Sequence, residues 1–393
     1  MIHSSYVSNY DKYPEVTVVG YERAACAGWD EIAHQLQAKV NGQDKAKVVL
    51  VIDCYHGVDQ TELRTQLLTR FGPHTLIDVE QARLPEPKVL AMLDRFITDD
   101  RVFGVLAPHK MVEFFDPVAL ARLQQQVTEI AEGLVVVMGC GASLVAKGNV
   151  RVYADLARWE IQQRLRRKEI GNWGADNTEE DILRRYKRAF FIEWRVFDRH
   201  KLAQLPTIDF LLDTNTKDKP TMVTGAALQQ GLHQAARQPF RVVPFFDPGV
   251  WGGQWMKQVC DLDPAQPNYA WCFDCVPEEN SLYLRFGEVR VEIPSQNLVL
   301  CQPKALLGER VHARFGAEFP IRFDFLDTVG GAAAQSAGAS ADRIHPAGVR
   351  HALHPGRELL PARCQAGLLR LPRHPQRYRL AGNAGGPGRR PAR

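Results

Sequence analysis

The sequence lacks the features that would assign it to a membrane or to the secretory route. No apolar run reaches the roughly 18 residues that a membrane helix needs. The N-terminal stretch MIHSSYVSNYDKYPEV has no basic start followed by an apolar segment, so no secretory signal is predicted. The eight cysteines are scattered over 393 residues, which favours reduced thiols. A cytoplasmic protein without membrane contact is expected.

Lysine, phenylalanine and tryptophan are absent after Gly331. From Ala332 onward there are eleven Arg, one Asp and one Glu, a net charge of +9, whereas the whole chain carries +4 and its first 331 residues therefore −5. This stretch has neither a period of two nor one of 3.6, so residues 332–393 are predicted to be a disordered tail. A basic patch that binds nucleic acid usually combines arginines with lysines, aromatic platforms or helical spacing, and this tail has none of these. No nucleic-acid binding is therefore predicted.

The first 215 residues alternate apolar strand-like runs with amphipathic helical stretches. KVVLVIDCY is a near-continuous apolar run, typical of a strand that is buried on both faces of a parallel sheet. The pattern predicts an α/β domain with a parallel sheet over residues 1–215. Predicted strands are Val16–Tyr21, Lys47–Tyr55, Val102–Pro108 and Leu134–Leu144, and predicted helical regions are Trp29–Val40, Thr61–Phe71 and Arg158 to His200.

The character of the chain changes after a Pro/Gly/Thr-rich connection, residues 216–238, which is predicted to be a linker. Residues 239–331 contain short strand-like runs broken by Pro, Gly or Asp: FRVVPFF, YAWCFDCV, SLYLRFG, VRVEIP, LVLCQP and IRFDFLD. Many short strands of this kind predict an all-β sandwich or barrel. Cys272 and Cys275 are spaced C-x-x-C, but no second pair follows and Trp271 and Phe273 indicate a strand, so a structural role is favoured over metal or redox chemistry.

Three segments of this β-rich part resemble a known enzyme family. FFDPGVWGGQWMKQVC, NYAWCFDCVPEENSL and LLGERVHARFGAEFPIRFDFLDTVGG together resemble type I mannose-6-phosphate isomerases, which are zinc-dependent cupins. The resemblance implies a jelly-roll domain over residues 239–331, a sugar-phosphate substrate and the interconversion of mannose 6-phosphate and fructose 6-phosphate. That reaction needs a base that moves a proton between C1 and C2, and zinc to polarise the carbonyl.

The metal ligands of that family do not follow in this chain. In the family, a segment like FDFLDT leads into Leu-Ser-Leu-Gln-Val-His-Pro, whose Gln and His bind the metal, and a later Asp-Glu-Ser-Tyr-like stretch supplies a Glu. If the codons of residues 334–356 are read with a shift of one base, codon degeneracy permits a sequence that contains the first motif. The codons of residues 356–364, read in the same shifted frame, permit the second motif. The sequence therefore predicts a frameshift near residues 330–334, an incomplete cupin, no bound zinc and no isomerase activity. His345, although it precedes a proline, is not assigned to metal.

The resemblance also nominates residues that would meet a sugar phosphate. Trp251 and Gly252 resemble the turn that begins the family's barrel near its pocket, although a packed tryptophan and a permissive glycine explain them equally well. Lys257, Arg314 and Arg322 are candidates for phosphate contacts, with ordinary surface charge as the alternative. No catalytic residue and no metal ligand is assigned.

The first part of the chain has a second, weaker resemblance. A strand that ends in VIDCYHGVDQT precedes a helix, and the later segments GLVVVMGCGASLVAKGNVRVYADLARWEIQQRLRRKE and EEDILRRYKRAF resemble the distal half of uridine-kinase-like P-loop proteins. In those proteins an Arg-rich helical lid closes on phosphates, which makes Arg164, Arg167, Arg184 and Arg185 candidates for phosphate binding. A solvated helix face is the alternative. A nucleotide is the implied ligand of this part.

The pattern G-x-x-x-x-G-K-[ST] of an active phosphate loop is missing. Between Asp53 and Thr61 there is one glycine, Gly57, and no lysine. The backbone would not wrap phosphates easily, and the lysine that reaches them is absent. A degenerate kinase-like domain is therefore predicted. Two alternatives remain open, a non-catalytic sugar-phosphate or nucleotide-binding protein and an active nucleoside kinase.

The gene sequence tests the frameshift directly. One inserted or deleted base in codons 330–334 is expected to restore both ligand motifs in a single open frame. Sequencing the gene and its transcript checks this. If no single-base change there yields both motifs, the frameshift and the relationship to the isomerases across it are both refuted.

Overall fold

The computed structural model describes residues 15–100, 103–237, 242–244, 271–273 and 282–294. The chain divides into two compact units. One consists of residues 11–240 and 274–318, and the other of residues 1–10, 241–273 and 319–393. In the second unit, two short strands, Val242–Pro244 and Trp271–Phe273, pair antiparallel with Trp271 opposite Pro244. This confirms that Trp271 and Phe273 lie on a strand.

The strands, in chain order, are β1 (Glu15–Thr17), β2 (Ala25–Ala27), β3 (Lys47–Cys54), β4 (His74–Asp78), β5 (Gly133–Gly139), β6 (Val150–Asp155), β7 (Phe210–Asp213), β8 (Thr221–Thr224), β9 (Val242–Pro244), β10 (Trp271–Phe273), β11 (Leu282–Phe286) and β12 (Val289–Ile293). The helices are α1 (Trp29–Asn41), α2 (Gln60–Glu62), α3 (Glu86–Ile97), α4 (Pro117–Glu129), α5 (Arg158–Arg166), α6 (Ile182–Arg188), α7 (Trp194–Gln204) and α8 (Gly225–Ala236). A π turn, Leu63–Leu67, extends α2, and another, Ala189–Glu193, joins α6 to α7.

The first unit is built on a seven-stranded sheet in the order β2-β8-β7-β6-β3-β5-β4. The pairs β4–β5, β5–β3, β3–β6 and β6–β7 are parallel, whereas β8 runs antiparallel to β7 and to β2. Strand β3 is the middle one of the five parallel strands β7, β6, β3, β5 and β4, and nearly all of KVVLVIDC is apolar. Its Leu50 and Ile52 are fully buried, like Val136 and Met138 of neighbouring β5. Such a strand needs cover on both faces.

The mixed α/β class with a parallel set of strands is confirmed. The predicted strands at residues 16–21, 47–55 and 134–144 correspond to β1, β3 and β5, and the first predicted helix corresponds to α1. The strand predicted at Val102–Pro108 is wrong, because residues 103–108 are irregular. Their backbone bonds instead to α3 and to the π turn, from Val105 N to Phe96 O and from Ala107 N to Phe191 O.

The predicted linker at residues 216–238 is corrected by the structure, since it contains β8 and α8. Thr224 caps α8 by accepting from Ala227 N, and Leu228 and Leu232 of this helix are fully buried. The Thr- and Gly-containing sequence looked like a connection because a four-residue strand and a capped helix start use the same residue types as a turn.

The predicted all-β part is described only in pieces. Its runs FRVVPFF, YAWCFDCV, SLYLRFG and VRVEIP contain β9, β10, β11 and β12 in that order. No closed barrel occurs among the residues that the structure describes. The runs LVLCQP and IRFDFLD and the tail from residue 332 lie outside the described residues. Within the described ranges, no helix combines the length and the apolar character required to cross a bilayer.

A substitution at Gly225 tests whether α8 is fixed on the sheet. The N–H of Gly225 donates to the carbonyl oxygen of Asp209 at 2.7 Å, and a Cβ here would overlap the carbonyl oxygen of Ile208. Gly225→Ala is therefore expected to lower the free energy of urea unfolding by about 1–3 kcal/mol, as overpacking does.

Gly72→Ala is the control, because a Cβ there meets no atom within 4 Å. It is expected to change the same free energy by about 0.5 kcal/mol or less. Equal, near-zero effects of the two substitutions would show that residues 216–238 form a loose connection after all.

Candidate functional site

The carboxyl ends of β3 and β6 form the position where an open α/β sheet binds its ligands. The connection after β3 leads towards β4 and β5, whereas the connection after β6 leads towards β7. Neighbouring parallel strands whose connections diverge leave a crevice between them at their carboxyl ends. The turn 55–59 follows β3 on one side of this crevice, and α5 follows β6 on the other.

The carboxylate of Asp53, the penultimate residue of β3, is the centre of this region. It accepts hydrogen bonds from Gly141 N at 2.9 Å, from Ser143 N at 3.0 Å and from Ser143 Oγ at 2.6 Å. His200 Nε2 lies 2.7 Å from its Oδ2. Asp53 is 3% exposed and His200 9% exposed, so these groups interact away from water.

Two glycines aim the backbone donors at Asp53. Gly139 ends β5 with φ +130°, and Gly141 has the left-handed φ of +84°. Residues with side chains rarely adopt these angles. The chain therefore reverses directly after β5 and directs the N–H groups of Gly141 and Ser143 towards β3. The GCGASL motif is thus a tight turn that binds an internal carboxylate.

Asp53 and His200 shift each other's pKa values. Burial raises the pKa of Asp53, but the charge of His200 and the hydrogen bonds from His200 and Ser143 outweigh it, so the net shift is downward. Burial lowers the pKa of His200, but the charge and hydrogen bond of Asp53 outweigh it, so that pKa is raised above its ordinary 6.5. Each side chain thus favours the charged form of the other, at a distance of 2.7 Å.

The Ser, His and Asp side chains do not form a nucleophilic triad. Ser143 Oγ lies 3.1 Å from His200 Nε2, which is the same nitrogen that contacts Asp53. In a triad the carboxylate and the nucleophile bind opposite nitrogens of the imidazole, so that the base can accept the serine proton. Here Ser143 donates to Asp53 instead. The contacts among Asp53, Ser143 and His200 join β3, the turn after β5 and α7.

Helix α7 supplies further charged groups to the same edge. Lys201 Nζ lies 2.5 Å from Asp155 Oδ2 at the end of β6, and both side chains are fully buried. Burial lowers the pKa of Lys201 below its usual value, although Asp155 opposes this shift. Asp198 accepts from Tyr55 Oη at 2.8 Å and pairs with Arg158. Lys201, Asp155, Asp198 and Arg158 thus form two buried pairs of opposite charge.

The turn that would cradle phosphate in a P-loop protein is covered. A Cβ on Gly57 would lie 3.1–3.3 Å from side-chain atoms of Leu156, Ile161 and Ile170, which therefore pack directly over this turn. Arg164 of α5 donates to the carbonyl oxygen of Gly57 at 3.0 Å and to that of Thr214 at 3.3 Å. The crevice between β3 and β6 is occupied by the protein's own side chains.

The structure distributes the predicted lid arginines over different environments. Arg164 lies at the crevice, and buried Arg185 donates to the carbonyl oxygens of Glu180 and Ile170. Arg167 bonds to Glu160 and Glu169 on the surface, and Arg184 lies 3.4 Å from Glu180. Their role in phosphate binding stays a prediction. The candidates Trp251, Gly252, Lys257, Arg314 and Arg322 lie outside the described residues.

Sequence reasoning missed the cluster around Asp53. The signal available was a carboxylate at the end of a buried strand, followed much later by a Gly-x-Gly turn at the end of another. Nothing in the sequence marked His200 or Lys201, which lie in a charged helix. Within the residues that the structure describes, no three His, Cys, Asp or Glu side chains are grouped so that they could hold a metal ion.

The sheet, the crevice and the covering helices define an α/β protein with an open, centrally parallel sheet. Residues 28–237, more than half of the chain, match the family described as Domain of unknown function (DUF8485). The chain belongs to this family. A search of curated proteins finds no match.

Asp53→Asn tests the buried ion pair. Removing one partner of such a pair is expected to lower the free energy of unfolding by about 3–5 kcal/mol. Because the raised pKa of His200 stabilises the folded state only while the imidazole is protonated, the wild-type stability should fall as pH rises above 6.5 through the folded pKa. The variant should lack this alkaline slope. Urea unfolding at a series of pH values measures both effects.

Asp78→Asn is the matched control at the end of β4, where Asp78 pairs with Arg64 in a partly exposed bridge of 3.0 Å. It is expected to cost about 1 kcal/mol or less and to keep the alkaline slope. An alkaline slope in Asp53→Asn equal to that of the wild type would contradict the assignment.

Proposed function

We propose that this chain is a non-catalytic protein that joins a kinase-like α/β domain with a closed phosphate site to an isomerase-like segment without its metal ligands. The observation that carries the proposal is the cover over Gly57. A turn that binds phosphate must present its N–H groups to a ligand. Here Leu156, Ile161 and Ile170 lie 3.1–3.3 Å from the position of a Cβ on Gly57, and Arg164 donates to the carbonyl oxygen of Gly57.

The position of the turn supports the kinase-like relationship. A P-loop joins a strand to a helix, and in open α/β sheets such a turn lies at the carboxyl end of a central strand. Residues 55–59 join central β3 to α2 in this way. The proposal adds that the turn has kept its place in the fold and lost its chemistry.

The charge at the start of α2 supports the loss of phosphoryl transfer. Asp59 caps this helix and accepts from Glu62 N at 3.0 Å, so a carboxylate takes a donor that a phosphate would use. Asp53 likewise takes the donors at the end of β5. Phosphoryl transfer needs a cation to neutralise developing charge, and residues 53–61 include no lysine or arginine.

The hydrogen bonds of Arg164 also support a closed state. This arginine is a predicted lid residue, but its guanidinium bonds to two backbone carbonyls and, at 3.0 Å, to Glu160. A phosphate would have to break these bonds and displace the apolar cover. The same contacts make α5 a fixed part of the domain.

The isomerase half of the proposal rests on the resemblance of residues 239–331 to type I mannose-6-phosphate isomerases. Zinc in that family polarises the substrate carbonyl. The Gln, His and Glu that would hold it are not present in family order after Asp327, because residues 332–393 have another sequence. The donor set does not fit, and no step of an isomerisation is assigned to this chain.

One set of assays on the purified full chain tests the proposal. Calorimetry with MgATP is expected to show no saturable binding, and a nucleoside panel no phosphoryl transfer. Metal analysis is expected to find no stoichiometric zinc, and a coupled assay with mannose 6-phosphate no turnover. The frame-repaired gene product serves as the matched control and should bind zinc and isomerise mannose 6-phosphate.

Each contrary result has a separate meaning. Saturable MgATP binding without phosphoryl transfer would refute the closed site and support a nucleotide-binding protein. Phosphoryl transfer to a nucleoside would establish a kinase. Zinc with isomerase turnover in the unrepaired chain would refute the loss of the metal site. A repaired protein that binds a sugar phosphate without isomerising it would support a binding protein instead of an enzyme.

A further inference from the structure

The α/β unit includes a β-hairpin that the matched family region does not cover. Strands β11 and β12 pair antiparallel, and β1 adds to β11 in parallel, which makes a separate three-stranded sheet. The family match spans residues 28–237, so all three strands lie outside it. The hairpin comes from the stretch that resembles the isomerases.

One face of the hairpin is apolar and buried. Leu284, Phe286, Val291 and Ile293 are fully buried, and Leu282 is 5% exposed. The alternation of β11 places these side chains on a single face. Because an isolated two-stranded hairpin is at best marginally stable in water, this face needs a surface to pack on.

Helix α8 supplies that surface. A Cβ on Gly231 would overlap the Cδ1 atom of Leu284, so the hairpin approaches the helix as closely as a glycine allows. The same Cβ would lie 3.1 Å from Cγ2 of Val18, just after β1. Gly231 therefore lies where the helix meets the small sheet.

Two polar contacts and one close backbone approach position the hairpin further. Glu292 N donates to Asp213 Oδ2 at 2.8 Å, which ties β12 to the carboxyl end of β7. Arg285 binds Glu15 with two hydrogen bonds, of 2.5 and 2.8 Å, on the outer side of the small sheet. At the hairpin tip, Gly287 has φ +59° and lies close to the carbonyl oxygen of Glu22.

We infer that this edge of the α/β domain, formed by α8, β1 and the carboxyl end of β7, is a docking surface for a β-hairpin, and that β11–β12 occupies it. The hairpin holds the isomerase-like stretch on the domain and belongs to the core of that domain. Its parallel partner β1 differs from the antiparallel neighbours of a jelly roll. A cupin barrel that recruits these strands must first release them from this surface. The inference does not depend on the proposed function.

Hydrogen exchange of the full chain, followed by mass spectrometry on peptides from residues 282–293, tests the inference. In the wild type these amides should be protected to a degree similar to β8. Gly231→Val should speed their exchange by about tenfold or more, while β3 and β5 keep their protection, because only a local unit is released. Gly231→Val with Leu284→Ala should restore part of the protection, since the combined volume is nearly conserved.

If Gly231→Val loosens the whole domain, a second set of variants still tests the inference. These variants reverse the charges of the solvent-facing pair Arg285 and Glu15. Arg285→Glu should speed exchange of the hairpin amides, and Arg285→Glu with Glu15→Arg should slow it again. Unprotected hairpin amides in the wild type would overturn the inference. So would exchange rates that are unchanged in both Gly231→Val and Arg285→Glu.

Discussion

The buried carboxylate of Asp53 is the constraint on which the carboxyl edge of the central sheet depends. A carboxylate removed from water destabilises the fold unless donors surround it. Here the turn after β5 and helix α7 provide them, so β3, β5 and α7 are held in one arrangement. Lys201 and Asp155 repeat the same solution at the end of β6. The crevice of an α/β fold has thereby become a packed polar core.

This polar core supports the proposal that the turn after β3 does not bind phosphate. The N–H groups of Gly141 and Ser143 donate to Asp53, that of Glu62 donates to Asp59, and Arg164 donates to backbone carbonyls. An anion that used these donors would have to displace the bonds that they already make within the chain. The hairpin β11–β12 lies outside the family region, residues 28–237, and packs on α8 at Gly231.

The sequence predicted the α/β class and the central strands because long apolar runs such as residues 47–54 have a single favourable place in a fold. It failed at β8 and α8, since a four-residue strand and a Thr-capped helix resemble a turn. It also failed at the candidate site. His200 and Asp53 are 147 positions apart, and a histidine in a charged helix gives no local sign that it will be buried beside a carboxylate.

We propose that side chains of the chain itself close the turn after β3. Hydrogen exchange of the amides of residues 55–59, measured without and with MgATP, tests it most directly. We expect the amides of residues 55–59 to exchange as slowly as those of β3, both without and with MgATP. Exchange as fast as that of an exposed loop, or protection that appears only with MgATP, would contradict it and would show an open phosphate site.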